Sequence, residues 1–318
     1  MNEKMTGLRG YVRRKREEDN STPRVLQLRT RGTKVLFAIV FVIFILYSIA
    51  LVYPFILLFV NALKGGLEYV NDLNGRSIMN LPDIPLWENF VAALKSMSAI
   101  DSSGRDIFML EMFRNSLMYA IGRSCAACVA SVLTAYVIAK YEFKGRGLLY
   151  GISVFTLTIP IVGNTGSMLK MLTETGLYNT PLYIIIASFG GFGFNFIVLN
   201  GFFKNISWSY AEAAMIDGAG HFSVFFRVML PQALPTIITL IVVDFIAAWN
   251  DYTSVLLYLP DFPTLASGLY RIELNITRGG NYPIYFAGIL LSLIPVLVLF
   301  ACCSNVIMKN LSVGGLKG

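Results

Sequence analysis

The stretch "VLFAIVFVIFILYSIALVYPFILLFVNAL", from Val35 to Leu63, contains no charged residue and few polar ones. A helix needs about 20 predominantly apolar residues to cross the hydrocarbon core of a bilayer, where its backbone must satisfy its own hydrogen bonds. The stretch therefore predicts a membrane-spanning helix. The whole composition agrees, because 55% of the residues are hydrophobic and only 14% are charged, against about a quarter charged in soluble domains. The mean hydropathy is +0.62.

Further runs of low charge follow along the chain. Three carry no charge and two carry a single one, Arg123 or Asp244; the runs are 147–169, 175–203, 279–308, 115–139 and 228–250. We therefore predict an all-α integral membrane protein with six transmembrane helices, near residues 35–60, 115–139, 147–168, 182–203, 236–258 and 284–307.

The basic residues predict the orientation of these helices. Lys and Arg are concentrated in the N-terminal arm 1–34, in the turns after the second and fourth predicted helices and in the tail 309–318, whereas the loop 64–112 is net acidic. Positively charged loops stay in the cytoplasm. We predict a multi-pass transmembrane domain over 35–308 in the cell membrane, with both termini and the loop 204–235 cytoplasmic and the loop 64–112 external. The net charge of +7 then reflects topology and attraction to anionic lipid, and we expect no nucleic-acid partner.

The sequence lacks the motifs of an independent ATPase or hydrolase. It contains no GxxxxGK[ST], HExxH or GxSxG, and His221 is the only histidine. The cysteines form two pairs inside predicted helices, Cys125/Cys128 and Cys302/Cys303, where small residues at helix contacts are a better interpretation than redox or metal chemistry. We predict no enzymatic activity, no metal site and no cofactor bound by this chain.

The loop 204–235 contains the stretch "YAEAAMIDGAGHFSVFFRVMLPQALP", from Tyr210 to Pro235. Its first part favours a helix, the glycines of "DGAG" allow positive φ and a tight turn, and apolar residues then recur at spacings of three and four. We predict a helix-turn-helix on the cytoplasmic face. Such an element either docks into a groove of a partner or rests on the membrane surface, and physical reasoning alone leaves both open.

The spacing within this stretch resembles the EAA motif of ABC importer permeases. The family pattern is EAA, three residues, Gly, nine residues, Ile, one residue and Leu-Pro, and this chain follows it from Glu212 to Pro231 with Val228 in place of Ile. Other strings are similar to the maltose-type sugar permeases; they are "NSL" at 115–117, "AYVIAKYEFKGR" at 135–146, "IP" at 159–160, "EAAMIDGAG" at 212–220, "WNDY" at 249–252 and "GGLKG" at the end.

The resemblance implies a permease subunit of a binding-protein-dependent sugar importer. Its implied partners are two ABC ATPase subunits that carry ATP and Mg²⁺, a second permease forming a heterodimer with this one, and an extracytoplasmic binding protein that delivers a sugar or oligosaccharide. The implied ATPase-coupling residues are Glu212, Ala213, Ala214, Asp217, Gly218, Leu230 and Pro231. Two alternatives stay open: an ABC permease for another solute, such as a polyamine, phosphate or amino acid, and a channel or secondary transporter without an ATPase.

Two charges fall near the bilayer midplane. Arg123 and Asp244 lie about 12–14 Å inside their predicted helices at 1.5 Å per residue. Charges at this depth usually face a partner or a wet cavity, so we expect both to face the bundle interior, either paired with each other or both lining the solute path. The alternative is that Arg123 snorkels outward and Asp244 forms a hydrogen bond at the inner end of its own bundle.

Trp249, Asn250 and Tyr252 are further candidates for residues that line the solute path. Alternatively, they belong to an interfacial aromatic belt.

Overall fold

In the computed structural model, the described residues are 31–75, 77–159, 163–276 and 280–313. They fall into two compact units that divide between Leu57 and Leu58. The first unit consists, in its described part, of helix α1 (Arg31–Ala62), whose last turn lies in the second unit. α1 is apolar on every side, as a membrane span is, and its large apolar side chains are exposed. It coincides with the first predicted helix.

The 64–112 segment is ordered by short elements of its own. It contains α2 (Gly66–Gly75), α3 (Glu88–Ser96) and a hairpin of β1 (Ser98–Ile100) and β2 (Asp106–Phe108), with Ala99 opposite Ile107. The Asn89 amide donates to the carbonyls of Ala62 and Lys64 at 2.8 and 2.9 Å, which fixes α3 against the end of α1. The hairpin is a small departure from the predicted all-α class.

The remaining described elements are helical. They are α4 (Met109–Lys140), α5 (Arg146–Thr158), α6 (Thr165–Glu174), α7 (Leu182–Ser188), α8 (Phe194–Asn205), α9 (Ser209–Ile216), α10 (His221–Val224), a π-helical turn (Phe225–Met229), α11 (Leu230–Trp249), α12 (Tyr252–Tyr258), α13 (Leu265–Ile276) and α14 (Tyr282–Val313).

Within the described ranges, four helical stretches are long and apolar enough to cross a membrane: Gly32–Ala62, Met109–Lys140, His221–Trp249 and Tyr282–Ser304. The predicted helix 182–203 is therefore wrong as one continuous helix. It divides into α7 and α8 around the sequence "FGGFG" at 189–193, where Gly191 and Gly193 have φ of 67° and 146°. Only glycine adopts such angles cheaply, and the Thr134 hydroxyl on α4 donates to the Gly191 carbonyl. Broken helices persist at membrane depth where protein covers them.

The predicted helix 147–168 is also divided. α5 ends at Thr158 and α6 begins at Thr165, with Gly163 at φ 85° between them. Residues 160–162 of this connection lie outside the described residues, and they include Pro160 of the "IP" string. A run free of charge predicts the length of apolar chain but does not distinguish one long helix from two short ones.

The boundaries of the fifth predicted helix also differ from the structure. Helical backbone begins at His221, continues through the π-helical turn and ends at Trp249, so the observed helix lies closer to the N-terminus than the predicted limits 236–258. The 259–283 segment contains α13, which is ordered by contacts within the chain. The Leu265 amide donates to Ser116 Oγ on α4 at 2.7 Å, and the Arg271 guanidinium donates to the Ile100 carbonyl at 2.8 Å.

The second unit has two hydrophobic clusters, and α4 contributes to both. Met112 and Tyr119 of α4 belong to the first cluster, with Trp249 of α11. Tyr136 of α4 belongs to the second, with Phe203 of α8 and Met229. The first cluster lies beside a charged cavity, and the second supports the turn between α9 and α10. These two places are the candidate sites.

Candidate functional site

The turn between α9 and α10 has the geometry predicted for the loop 204–235. The Asp217 amide donates to the Ala213 carbonyl at 3.1 Å, and the Ala219 amide donates to the Ala214 carbonyl at 2.9 Å, so the end of α9 is closed by backbone hydrogen bonds. Gly218 has φ 88°. A Cβ at Gly218 would meet no atom within 4 Å, so the requirement for glycine here is conformational rather than steric.

The turn presents an exposed tip on a buried base. Ile216 is 86% exposed and Phe222 is 83% exposed, whereas Val224 and Met229 are fully buried. The predicted coupling residues divide in the same way; Glu212, Ala213, Asp217, Gly218 and Pro231 are exposed, and Ala214 and Leu230 are partly buried. Of the exposed members, Asp217 and Gly218 directly follow Ile216, whereas Pro231 lies in the first turn of α11.

Contacts with the C-terminal end of α4 hold the base of the turn. Tyr141 follows α4, and its hydroxyl lies 3.1 Å from Nδ1 of His221, the first residue of α10. Tyr136 packs against Phe225 with ring centroids 4.7 Å apart. The Lys140 ammonium donates to the Ile206 carbonyl, just before α9. The turn is therefore fixed to α4, the helix that also carries Arg123. His221 is exposed.

A cavity of about 300 Å³ lies where α4, α6, α7, α11 and α12 meet. Its polar wall is formed by two phenols, two hydroxyls and two charges, contributed by Tyr119, Tyr183, Ser188, Ser254, Arg123 and Asp244. The Arg123 side chain is 38% exposed. Arg123 and Asp244 therefore line one cavity.

Arg123 forms its ion pair with Asp251, in the break between α11 and α12. The guanidinium also donates to the Tyr119 hydroxyl at 3.1 Å, and that hydroxyl donates to Oδ2 of Asp251 at 3.0 Å. Oδ1 of Asp251 accepts from the Ser254 amide at 3.0 Å and so caps α12. One carboxylate thus joins α4 to the first turn of α12.

Asp244 has a different partner, the side-chain amide of Asn195 on α8. A direct Arg123–Asp244 pair, one of the two arrangements considered above, is therefore not the one in the structure. Sequence reasoning missed Tyr119, Asn195 and Asp251. Asp251 offered a signal, since it is a carboxylate inside the predicted helix 236–258, directly after the run 228–250. Tyr119 also offered a signal, because it lies one helical turn before Arg123, whereas Asn195 offered no signal.

The aromatic path candidates lie away from this cavity wall. Trp249 is 5% exposed; its indole donates to the Ser292 carbonyl on α14 at 3.2 Å, and its ring stacks on Phe245. The Asn250 amide donates to the Ile246 carbonyl of its own helix at 2.8 Å. Tyr252 stacks on Tyr270 of α13 with centroids 4.9 Å apart. Trp249 is thus a packing residue between α11 and α14.

Known transport proteins are similar to this chain in sequence. Residues 127–312 match the family described as "Binding-protein-dependent transport system inner membrane component". A diacetylchitobiose uptake system permease of Streptomyces coelicolor is 27% identical over 280 residues, 87% of this chain and 88% of that protein. A galactooligosaccharides transport system permease of Bacillus subtilis is 28% identical over 214 residues, 66% of this chain and 75% of that protein.

A solved structure shares the fold. A chain of a bacterial ABC transporter involved in import of the acidic polysaccharide alginate superposes with a TM-score of 0.71 at 20% identity, covering 88% of this chain and 99% of that one. At that identity the likeness is one of fold. The family match covers more than half of the chain and includes both candidate sites except the first part of α4. This chain therefore belongs to the inner membrane components of binding-protein-dependent transport systems, and it is a transport subunit rather than an enzyme.

Proposed function

We propose that this chain is a permease subunit that translocates a sugar or oligosaccharide, driven by ATP hydrolysis in separate ABC ATPase subunits. It works beside a second permease in a heterodimer and receives its solute from an extracytoplasmic binding protein. Both termini and the α9–α10 turn are cytoplasmic, and the 64–112 segment is external, in line with the distribution of Lys and Arg. Relatives named for diacetylchitobiose and galactooligosaccharides support the choice of a carbohydrate.

The exposed apolar tip of the α9–α10 turn is the observation that carries this proposal. Ile216 and Phe222 protrude from a firm base, as a short helical element suited to a partner's groove would. Glu212 and Asp217 are exposed beside them. Carboxylates there disfavour contact with an anionic lipid surface, which weighs against a turn that simply rests on the membrane. Its partner is the ATPase subunit, whose motions reach α4 through Tyr141 and Lys140.

The charged cavity is the proposed part of the solute path within this chain. Arg123, Asp244 and the phenols of Tyr119 and Tyr183 supply donors, acceptors and ring faces, the groups that fix a polar ligand in a pocket. Asn250 and Tyr252 are exposed near the end of α11 and belong to the mouth of the path. ATP-driven movement of the α9–α10 turn alters the packing of α4, which carries one wall of the cavity.

Retention of the ATPase tests the docking role. The complete importer is expressed with an affinity tag on this chain, and the amount of ATPase subunit that co-purifies is measured. We expect Phe222→Asp to reduce that amount about tenfold or more, because it places a charge in an apolar contact. Leu67→Asp is the matched control, since Leu67 is 84% exposed in the 64–112 segment, and it should retain the ATPase. Equal retention by both variants would refute docking through this turn.

Substitutions at Gly218 test whether the α9–α10 turn couples ATP hydrolysis to transport. Gly218→Val forces a β-branched residue into positive φ, at a cost of about 1–3 kcal/mol, and Gly220→Val adds the same group at φ −76° with equally open surroundings. We expect Gly218→Val to uncouple ATP hydrolysis from uptake and Gly220→Val to leave both near normal. Glu212→Lys should weaken coupling as well. Uptake and substrate-stimulated ATPase activity that stay normal in Gly218→Val would contradict the role.

A further inference from the structure

The charges in the cavity do not balance. Arg123 is matched by Asp251, and its guanidinium is occupied by that carboxylate and by the Tyr119 hydroxyl. Asp244 receives a hydrogen bond from the neutral amide of Asn195; the charge of Arg123 acts on it across the cavity, but among the described residues no basic side chain forms an ion pair with it within 4 Å. With both carboxylates ionised, the group formed by Arg123, Asp244 and Asp251 carries a net charge of −1.

We infer that this cavity is an anionic filter, which passes neutral sugars and sugars with protonated amino groups and excludes sugars that carry a carboxylate. The inference rests on the proposed function and adds a substrate class to it. A carboxylate entering the cavity is repelled by Asp244 at short range and in a medium of low dielectric. A protonated amine finds in Asp244 an acceptor whose charge is not neutralised by an ion pair.

Arg123 does not reverse this selectivity. A substrate carboxylate could bind the guanidinium strongly only by displacing Asp251. Asp251 is held by two further contacts: the Tyr119 hydroxyl donates to one of its oxygens, and the Ser254 amide donates to the other, which is how Asp251 caps α12. Displacement would therefore cost the cap of α12 as well as the ion pair. The fold does not decide the charge of the solute, because a chain of similar fold belongs to an importer of an acidic polysaccharide.

Charged thiol reagents measure the potential of the cavity directly. Ala247 lies one helical turn after Asp244 and Ala187 lies on α7; both line the cavity and are exposed. Ala247→Cys and Ala187→Cys are introduced singly into a chain whose four native cysteines are replaced by alanine, and the complete importer is placed in nanodiscs. Trimethylammonioethyl and sulfonatoethyl methanethiosulfonate then report the modification rates for a cation and an anion of similar size.

We expect the cation to react about tenfold faster than the anion, after division by the ratio for a free thiol in solution, from a like-charge interaction at short range. Asp244→Asn should lower this ratio several-fold, Asp244→Glu should preserve it and Arg123→Gln should raise it. A cysteine at Leu67, outside the cavity, should show a ratio near one. Equal rates, a faster anion, no response to Asp244→Asn, or no reaction with either reagent would each overturn the inference.

Protection of the Ala247→Cys variant tests the sugar class. High concentrations of diacetylchitobiose, which is neutral, and of chitobiose, whose amines are protonated at pH 6, should slow its modification, whereas digalacturonate should not. Protection by digalacturonate, or by none of the three, refutes the assignment. ATPase retention and sugar uptake are measured on the same samples. A working importer whose cavity favours anions refutes only the filter, whereas a chain that retains no ATPase and imports no sugar refutes the proposed function.

Discussion

Two ion pairs in this chain each join a basic side chain to an aspartate, but their surroundings differ. Lys64 and Asp72 pair at 2.8 Å in the 64–112 segment, with side chains 0% and 3% exposed. Arg123 and Asp251 pair at a cavity wall, with side chains 38% and 15% exposed. The first pair is enclosed by protein, and the Lys64 ammonium also donates to the Ile78 carbonyl. The second faces space large enough for a solute. Enclosure suits a structural role, whereas access suits a role in transport.

Asp72→Asn should have the largest effect on stability. The amide keeps the size of the side chain but leaves the Lys64 ammonium, which is fully buried, without its carboxylate. Breaking a buried pair from one side costs about 3–5 kcal/mol. We expect a clearly lower thermal unfolding midpoint in detergent, and an uptake rate per folded complex close to normal. An unchanged midpoint would show that the pair contributes little to the 64–112 segment.

The double variant Lys64→Met with Asp72→Leu sharpens that test. Replacing a buried pair by apolar residues of similar volume is often neutral or stabilising. We therefore expect the double variant to recover most of the stability that Asp72→Asn loses. A double variant that unfolds as early as the single one would mean that the charges themselves, and not the cost of an unmatched ammonium, hold α2 in place.

Asp251→Asn should show the opposite pattern, with a small loss of stability and a large loss of transport. Asparagine is as good a helix cap as aspartate, so the cap on α12 survives and only the charge is removed. Because the pair is partly solvated, we expect a stability change of about 1 kcal/mol or less. Uptake should fall about tenfold, which corresponds to 1.4 kcal/mol in the barrier. A large stability loss with normal specific uptake would make this pair structural too.

Two double-mutant cycles test which of the three charged side chains in the cavity interact directly. Arg123→Gln and Asp251→Asn remove partners in direct contact, so their effects on uptake should be strongly non-additive. Arg123→Gln and Asp244→Asn remove groups that share a cavity without a direct bond, so their effects should come closer to additivity. Stronger coupling of Arg123 to Asp244 than to Asp251 would reverse the assignment of partners.

These two pairs also show what the sequence could predict. Arg123 could be singled out because it is the one charged residue in the run 115–139, and the rise per residue of a helix gave its depth inside the predicted span. Its partner lies 128 residues later, and no local spacing encodes such a contact. Lys64 and Asp72 are eight residues apart in a loop with no periodic pattern, so their burial could not be predicted. The α9–α10 turn was predictable because glycine, helix-favouring residues and spacing all act locally.

The divided helices have a similar explanation. The glycines of "FGGFG" at 189–193 signalled a break, but a hydropathy count treats glycine as neutral and continues through it. The strands β1 and β2 have three residues each, too short for a period of two to be recognised. Their pairing depends on tertiary contacts such as that between Arg271 and the Ile100 carbonyl.

A third acidic group, in the β1–β2 turn and outside the apolar spans, should show the smallest effect. Asp101 accepts hydrogen bonds from the Ser103 hydroxyl and amide and from the Arg105 amide, at 2.7, 2.9 and 2.9 Å. These bonds, that of the Ser103 hydroxyl first, lower the pKa of Asp101 below its usual value. Asp261 is similar, because hydrogen bonds from Ser102, with a further one from Asn179, lower its pKa. The Asp101 carboxylate closes the β1–β2 turn, and the Asp261 carboxylate connects Ser102 of that turn to the 259–283 segment.

A carboxyl whose pKa is lower in the folded state stabilises that state above its unfolded pKa of about 3.9, and the contribution is lost as pH falls through the folded pKa. We therefore expect amide hydrogen exchange in residues 100–106, corrected for intrinsic rates, to be constant from pH 7 to pH 5 and to accelerate below about pH 4. Asp101→Asn should accelerate exchange already at pH 7 and weaken the pH dependence, while uptake stays normal. Because the hydrogen bonds of Asp101 lie within the β1–β2 turn, the global unfolding midpoint should not move. If it moves as far as in Asp72→Asn, this turn would contribute as much to global stability as the Lys64–Asp72 pair.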